Sequence, residues 1–298
     1  MLRKVRLIVK RLSRVLGLRM PIVRLWNTYE HLLLAYSIRR NSSGTDRVAV
    51  IEPLSIFWIP PTEVEVISGG SFDFIRDTGR VVGGTWDLGG TIRPTEWDCY
   101  RWFERRFEEG FEWAETEQYA RSMERIREGH SSRYASVEAF ERKLRSYDLM
   151  YEAFERGNYR LQSELVDDRV VGEPGSGGRA LFPSWTDSSL MRHEIAVDIG
   201  RDGTLFRNEG RHRLALALLA DLYEIPVRVV VRHAEWQALR DEIACSIDAA
   251  LEAGVGPEDV RAHVEGTFSD ELDDVPLGVT HPDLEVIFER RLPESGRA

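Results

Sequence analysis

Gly203-Thr204-Leu205-Phe206-Arg207-Asn208-Glu209-Gly210-Arg211-His212-Arg213-Leu214-Ala215-Leu216-Ala217 decides how the chain is read. Thr204-Leu205-Phe206 suits a short strand, Asn208-Glu209-Gly210 a tight turn, and the Leu/Ala-rich run from Arg211 to Leu222 a helix. Just upstream, Glu194 to Ile199 alternates at period two and predicts a strand. Gly200-Arg201-Asp202-Gly203 is the hairpin turn that joins it to the next one, with Asp-Gly as the signal. Downstream, Ile225 to Val231 predicts a buried β-branched strand closed by Arg232-His233, and Ala234 to about Leu251 a further helix. Strands alternating with helices over so short a span predict a small α/β, mixed α+β, sheet with flanking helices.

The chemistry concentrates at Gly210-Arg211-His212-Arg213. A helix start carries unpaired N–H groups and a partial positive charge, and favours an anion, most often a phosphate. Three basic residues in that first turn oppose the dipole, so an anion or a carboxylate must compensate them. Gly210 leaves room where a ligand would approach. His212 can donate to a phosphoryl oxygen and an arginine can grip two oxygens at once. The competing reading pairs the arginines with nearby acids such as Glu209 and Glu194 and packs His212 inside.

Residues 192–232 resemble the ParB/sulfiredoxin superfamily, which includes the ParB amino-terminal domain, sulfiredoxin and the free serine kinase of archaea. The resemblance is carried by the stretch quoted above and by Ile225-Pro226-Val227-Arg228-Val229. Ile59-Pro60-Pro61-Thr62-Glu63-Val64 resembles the strand that opens such domains. The resemblance implies a ParB/sulfiredoxin-like sheet split by a helical insertion. It also implies that Gly210, Arg211, His212 and Arg213 hold the phosphates of a nucleotide (ATP, ADP or CTP) or a phosphorylated small molecule. Arg211 stands where sulfiredoxin carries its cysteine, so sulfiredoxin chemistry is not expected. The turn is closer to the free serine kinase branch, which makes phosphoryl transfer or nucleotide hydrolysis the natural reaction.

Further candidates surround this motif. Glu194 could serve as base for a hydroxyl nucleophile, or form a salt bridge with Arg211 and Arg213. Asp87 follows Gly83-Gly84 and could hold magnesium beside a phosphate, or cap a loop. Arg232 and His233 end a strand where open sheets place ligands, with Trp236, Gln237 and Arg240 on the next helix. His281-Pro282-Asp283 reads as a turn without a partner. No zinc spacing, P-loop or nucleophile elbow occurs.

Outward from the core, Val48 to Ile51, Ile56 to Ile59 and Glu63 to Ile67 predict strands, and repeated glycines break residues 69–90. Thr95 to Tyr159 is helical, with segments from about Thr116 to Gly129 and from Ser136 to Arg156, and with Trp97, Tyr100, Trp102, Phe103, Phe107 and Phe111 as core anchors. Residues 167–188 form a Gly-rich loop. Glu258 to Val264 predicts a short helix and residues 269–283 an acidic loop. The organisation is therefore 1–40 basic helices, 47–90 the first part of the core domain, 95–185 a helical insertion, 190–240 the core with its motif, and 241–298 an acidic, helical tail.

Composition bounds the rest. The 298 residues are 42% hydrophobic and 30% charged, with net charge −10, which is globular and excludes wholesale disorder. Lysine stands only at Lys4, Lys10 and Lys143, so arginine supplies nearly all the basic groups; with the acidic excess this fits a high-salt cytoplasm, and a GC-rich genome gives the same arginine bias. Residues 1–29 hold eight basic groups and no acid. Val5, Ile8, Val9, Leu12, Val15 and Leu16 recur among them at helical spacing. This segment, residues 1–24, could dock on the protein's own body, on an anionic membrane surface or on a partner. The acidic remainder disfavours DNA as the partner of a ParB-like, nuclease-like or segregation-like module. No secretory signal is read, and two lone cysteines suit a reducing compartment, so a cytoplasmic protein, peripheral at most to the membrane's inner face, is expected. Cys245 is expected to be a small buried hydrophobe.

Overall fold

The computed structural model describes residues 19–42, 47–67, 72–130, 134, 136–161 and 194–292. The basic stripe of residues 5–16 and the Gly-rich stretch 167–188 lie outside them. The described chain is mixed α+β. A helix α1 (Arg19–Ser42) is followed by strands β1 (Ile56–Ile59), β2 (Val64–Ile67), β3 (Arg80–Val82) and β4 (Thr91–Ile92). Helices α2 (Asp98–Phe107), α3 (Glu117–Arg127) and α4 (Val137–Glu155) come next, then β5 (Ile195–Ile199), β6 (Leu205–Glu209), α5 (Arg211–Leu219), β7 (Ile225–His233) and α6 (Ala234–Glu252). The chain closes with α7 (Val260–Thr267), α8 (Ser269–Leu272) and α9 (Pro282–Arg291).

The sheet runs β1-β7-β5-β6-β2-β4. β7 is its spine. It pairs in parallel with β5 on one edge, Ile195 opposite Val227, and on the other edge meets antiparallel β1 along Ile225–Arg228 and then parallel β3 along Val231–His233. The hairpin β5–β6 then pairs through β6 with β2, Val64 opposite Leu205. The strands expected at Ile56, Glu63, Glu194 and Ile225 are therefore present, and strands from before and after the helical stretch that begins at Asp98 share one sheet.

Every residue of β5 and β7 is buried, because both sheet faces are covered. Ile195, Val197, Ile199, Val227 and Val229 face the main core with α5 and the helices. Ala196, Val230 and Val231 face a smaller cluster closed by Phe72, Phe74, Val82 and Trp86. The glycine-broken stretch 72–88 is thus a cover for the second face. It is fastened by Arg228, which donates to Phe74 O at 2.7 Å and Thr78 Oγ1 at 3.2 Å, and by Asn41 at the end of α1, which donates to Thr78 O at 2.9 Å.

The insertion follows its sequence signals closely. Thr116 and Ser136 cap α3 and α4 by accepting from Tyr119 N and Ala139 N. Phe103, Trp113 and Tyr147 form its aromatic core, and Asp148 accepts from the Trp113 indole at 3.0 Å and from Arg106 at 3.2 Å. α2 and α4 pack on α5, which joins the insertion to the sheet.

Several expectations change. Val48 to Ile51 is not a strand. Side chains satisfy its backbone instead: Ala49 N donates to Asp241 at 2.7 Å, Gln237 donates to Ala49 O at 3.0 Å, and Arg240 donates to Val50 O at 3.3 Å. The 269–283 stretch is not a loose loop. Phe268, Leu272, Val275 and Val279 recur at helical spacing beneath its acidic surface, and all four are buried. Cys245 is exposed, because it stands one position past Ala244, on the inner face of α6, and so rotates into solvent. No helix among the described residues is long and apolar enough to cross a membrane.

Candidate functional site

β6 runs through Glu209, longer than its sequence suggests, so the turn into α5 is Gly210 alone. Gly210 has φ +94°, the left-handed region that favours glycine. A Cβ there would lie 3.0 Å from Ile195 Cγ1 and 3.1 Å from Ile195 Cα. Glycine is thus demanded by the turn and by close packing on β5, not by the approach of a ligand from that side.

The single-residue turn sends the first helical turn into a cleft of about 450 Å3, partly open to solvent, whose lining includes Lys143, Arg207, Glu209, Arg211, His212 and Arg213. Arg207 is half-buried. Its Nη1 donates to Asn208 O at 3.0 Å, its guanidinium lies 5.2 Å from the Trp97 ring, and its buried Nε has no hydrogen-bond partner among the described residues. Burial depresses its pKa, Glu209 offsets part of this, and the neighbouring charge of Arg211 adds to the depression. Arg211 is exposed and pairs with no carboxylate among the described residues. Lys143 comes from the insertion and rests 4.4 Å from the Tyr147 ring centre. His212 sits half-buried, 5.4 Å from Tyr147 and 5.9 Å from Phe103 between ring centres.

Arg213 differs from its neighbours. Its Nη1 donates to Glu194 at 2.9 Å and to Tyr159 Oη at 3.1 Å, and the Glu194 side chain is 1% exposed. Burial works against the Arg213 charge, but Tyr159 and Glu194 outweigh it and raise the guanidinium pKa. Burial, chiefly, also raises the pKa of the Tyr159 phenol. The competing carboxylate reading therefore holds at Arg213 and Glu194. Arg207, Arg211 and Lys143 line the cleft beside that pair.

The other sequence candidates lie apart from this cleft. Asp87, 2% exposed, accepts from Arg201 Nε, Nη2 and N, each at 2.9 Å, and so latches the 72–88 cover to the β5–β6 turn. Burial opposes its ionisation, but the Arg201 side-chain and backbone hydrogen bonds outweigh that and lower its pKa. His233 caps α6, its Nδ1 accepting from Glu235 N at 3.1 Å and its Nε2 donating to Gly84 O at 3.0 Å. Arg232 donates to Asp283 at 2.8 Å and 2.5 Å, where Trp236 at 2.9 Å and Arg240 at 3.1 Å also converge. These are buried clasps between β7, α6 and α9. Burial lowers the Arg240 pKa to about 10, with Asp283 opposing the shift. The His281-Pro282-Asp283 turn thus has partners: Asp283 is the acid on which Arg232, Trp236 and Arg240 meet. Burial would raise that acid's pKa, but Arg232 and Arg240 hold it far below the ordinary range.

Neither proposed catalytic carboxylate thus faces the cleft. Among the described residues, no group of three or more His, Cys, Asp or Glu could hold a metal ion. Two lining cations, Arg207 and Lys143, lie outside the Gly210–Arg213 motif. Arg207 lies on the strand itself, where alternation gives no functional cue. Lys143 did carry a signal, as the one lysine outside the basic amino-terminal segment. No protein-family model, curated protein or solved structure matches the chain.

Proposed function

We propose that this chain is a ParB/sulfiredoxin-like protein that binds the phosphate of a nucleotide or phosphorylated small molecule at the start of α5. One observation carries the reading. Two arginines of the core, Arg207 and Arg211, and Lys143 of the insertion converge on a cleft at a helix amino terminus, with Glu209 as the one acid among the described residues of its lining. Cations brought together around a helix dipole repel one another, and a phosphate between them relieves the repulsion while accepting charge-assisted hydrogen bonds. The cleft volume suits a small ligand. Glu194 and Asp87 are engaged by Arg213 and Arg201, so the proposal is recognition, with no base assigned.

Thermal unfolding with pyrophosphate, ADP, ATP and CTP, with and without magnesium, tests it. At a hundred times the dissociation constant the native state gains about 2.7 kcal/mol, or roughly 5 °C for a chain of this size. Arg211→Ala removes the shift without lowering the unliganded midpoint. A shift that survives in Arg211→Ala, or no shift with any phosphate, refutes the assignment.

A further inference from the structure

A second cavity, of about 330 Å3, abuts the cation-lined cleft, and Arg211, His212 and Tyr147 line both. Its remaining wall belongs to the insertion. Asp98 from the first turn of α2, Gln118, Ser122 and Arg125 from α3, and the rings of Trp102 and Tyr134 face it. This chemistry differs from that of the neighbouring cleft. Asp98 brings a carboxylate that accepts hydrogen bonds, and Arg125 a guanidinium that donates them. A hydrocarbon would strip water from the carboxylate, amide and hydroxyl groups and return no hydrogen bonds. A hydroxylated group satisfies them, because its O–H donates to Asp98 and its oxygen accepts from Gln118 or Ser122, while a ring can lie on the aromatic wall.

We infer that the ligand is a phosphate ester of a hydroxylated compound, a sugar phosphate or the ribose phosphate of a nucleotide, with its phosphate among Arg207, Arg211 and Lys143 and its hydroxylated part in the insertion's cavity. This rests on the phosphate-binding reading above and extends it: the insertion selects the organic part, and Arg211 and His212 sit at the junction. The core supplies the anion site and the insertion supplies specificity.

The two cysteines provide the readout. Cys99 lines the insertion's cavity, whereas Cys245 is exposed on the outer side of α6. Burial, chiefly, raises the Cys99 thiol pKa, so each thiol's rate is compared with and without ligand. The experiment is iodoacetamide labelling of the full chain followed by peptide mass spectrometry, with pyrophosphate, ribose 5-phosphate, glucose 6-phosphate and ADP as probes. At ten times its dissociation constant, a bound sugar phosphate or ADP slows Cys99 labelling about tenfold by occupancy and leaves Cys245 unchanged. Pyrophosphate raises the melting point without protecting Cys99. The probe that protects at the lowest concentration separates a sugar phosphate from a nucleotide. Asp98→Ala weakens the protecting ligand by about tenfold through loss of a charge-assisted hydrogen bond, and does not weaken pyrophosphate. A hydroxylated phosphate that stabilises the protein but leaves the Cys99 rate unaltered overturns this inference while the phosphate site stands. Failure of every phosphate to stabilise the protein overturns both.

Discussion

Arg211 and Arg213 are two residues apart, on the same helical turn, yet the structure assigns them opposite duties. Replacing Arg213 with alanine takes the guanidinium away from Glu194, whose side chain is 1% exposed and which also accepts from Tyr159 Oη at 3.3 Å. Removing one member of a buried ion pair costs about 3–5 kcal/mol. Arg213 keeps 16% exposure, so water can partly reach the gap and the lower end of that range applies, about 3 kcal/mol. Arg211 is exposed and pairs with no carboxylate among the described residues, so its alanine variant should stay within about 0.5 kcal/mol of the parent. Equilibrium urea unfolding at neutral pH, without ligand, measures both. Adding Glu194→Gln to Arg213→Ala removes the stranded charge and should recover part of the loss. Equal losses for the two single variants, or a loss below about 1 kcal/mol at Arg213, would refute the division of roles, as would a double variant less stable than Arg213→Ala alone.

Further expectations concern the turn, the buried titrating groups and the cover. Gly210→Ala meets Ile195 at 3.0–3.1 Å in a left-handed conformation; conformation costs about 1–2 kcal/mol and overpacking about as much, so chemical denaturation should show a loss of about 2–4 kcal/mol. Asp198, with burial raising its carboxyl to about 7 against hydrogen bonds from Asn208 and Val231 N, holds a proton that the unfolded chain releases near pH 4. Stability from that group falls as pH rises from about 4 to 7, and Asp198→Asn should flatten the fall. His281 acts in the opposite sense: its Nδ1 accepts from Asp283 N at 3.1 Å, and burial lowers its pKa to about 4. Its contribution is full above about pH 6.5 and is lost as pH falls toward 4; His281→Asn keeps the helix cap and should remove that loss in urea midpoints measured from pH 4.5 to 8. Asp87→Ala releases Arg201, and hydrogen exchange should show faster opening of residues 72–88 with β5 still protected.

Much of this architecture was legible in short signals. Asp202-Gly203 marked the β5–β6 hairpin, Ser136 and Thr116 marked helix starts, and the β-branched run after Ile225 marked the buried spine. The elements that stayed hidden are those held by side-chain chemistry across long separations. Ala49 and Val50 look like a strand, but their backbone partners are side chains of Gln237, Arg240 and Asp241, nearly two hundred residues away. Asp283 looks like part of an acidic loop because its two arginines lie on other elements. At the site itself, the pattern of cations at a helix start was visible, but their division was not. Only the fold reveals that Glu194 turns toward Arg213, that a Gly210 side chain would meet Ile195, and that Lys143 reaches the same cleft from residues far upstream.

The most direct test is to soak crystals of the full chain with tungstate, an oxyanion whose anomalous signal locates it without ambiguity. The account predicts a peak in the cleft at the first turn of α5, within hydrogen-bond reach of Arg207 and Arg211, that disappears in Arg211→Ala crystals. An empty cleft with tungstate bound elsewhere, or an Arg211 side chain folded onto a protein carboxylate, would contradict it.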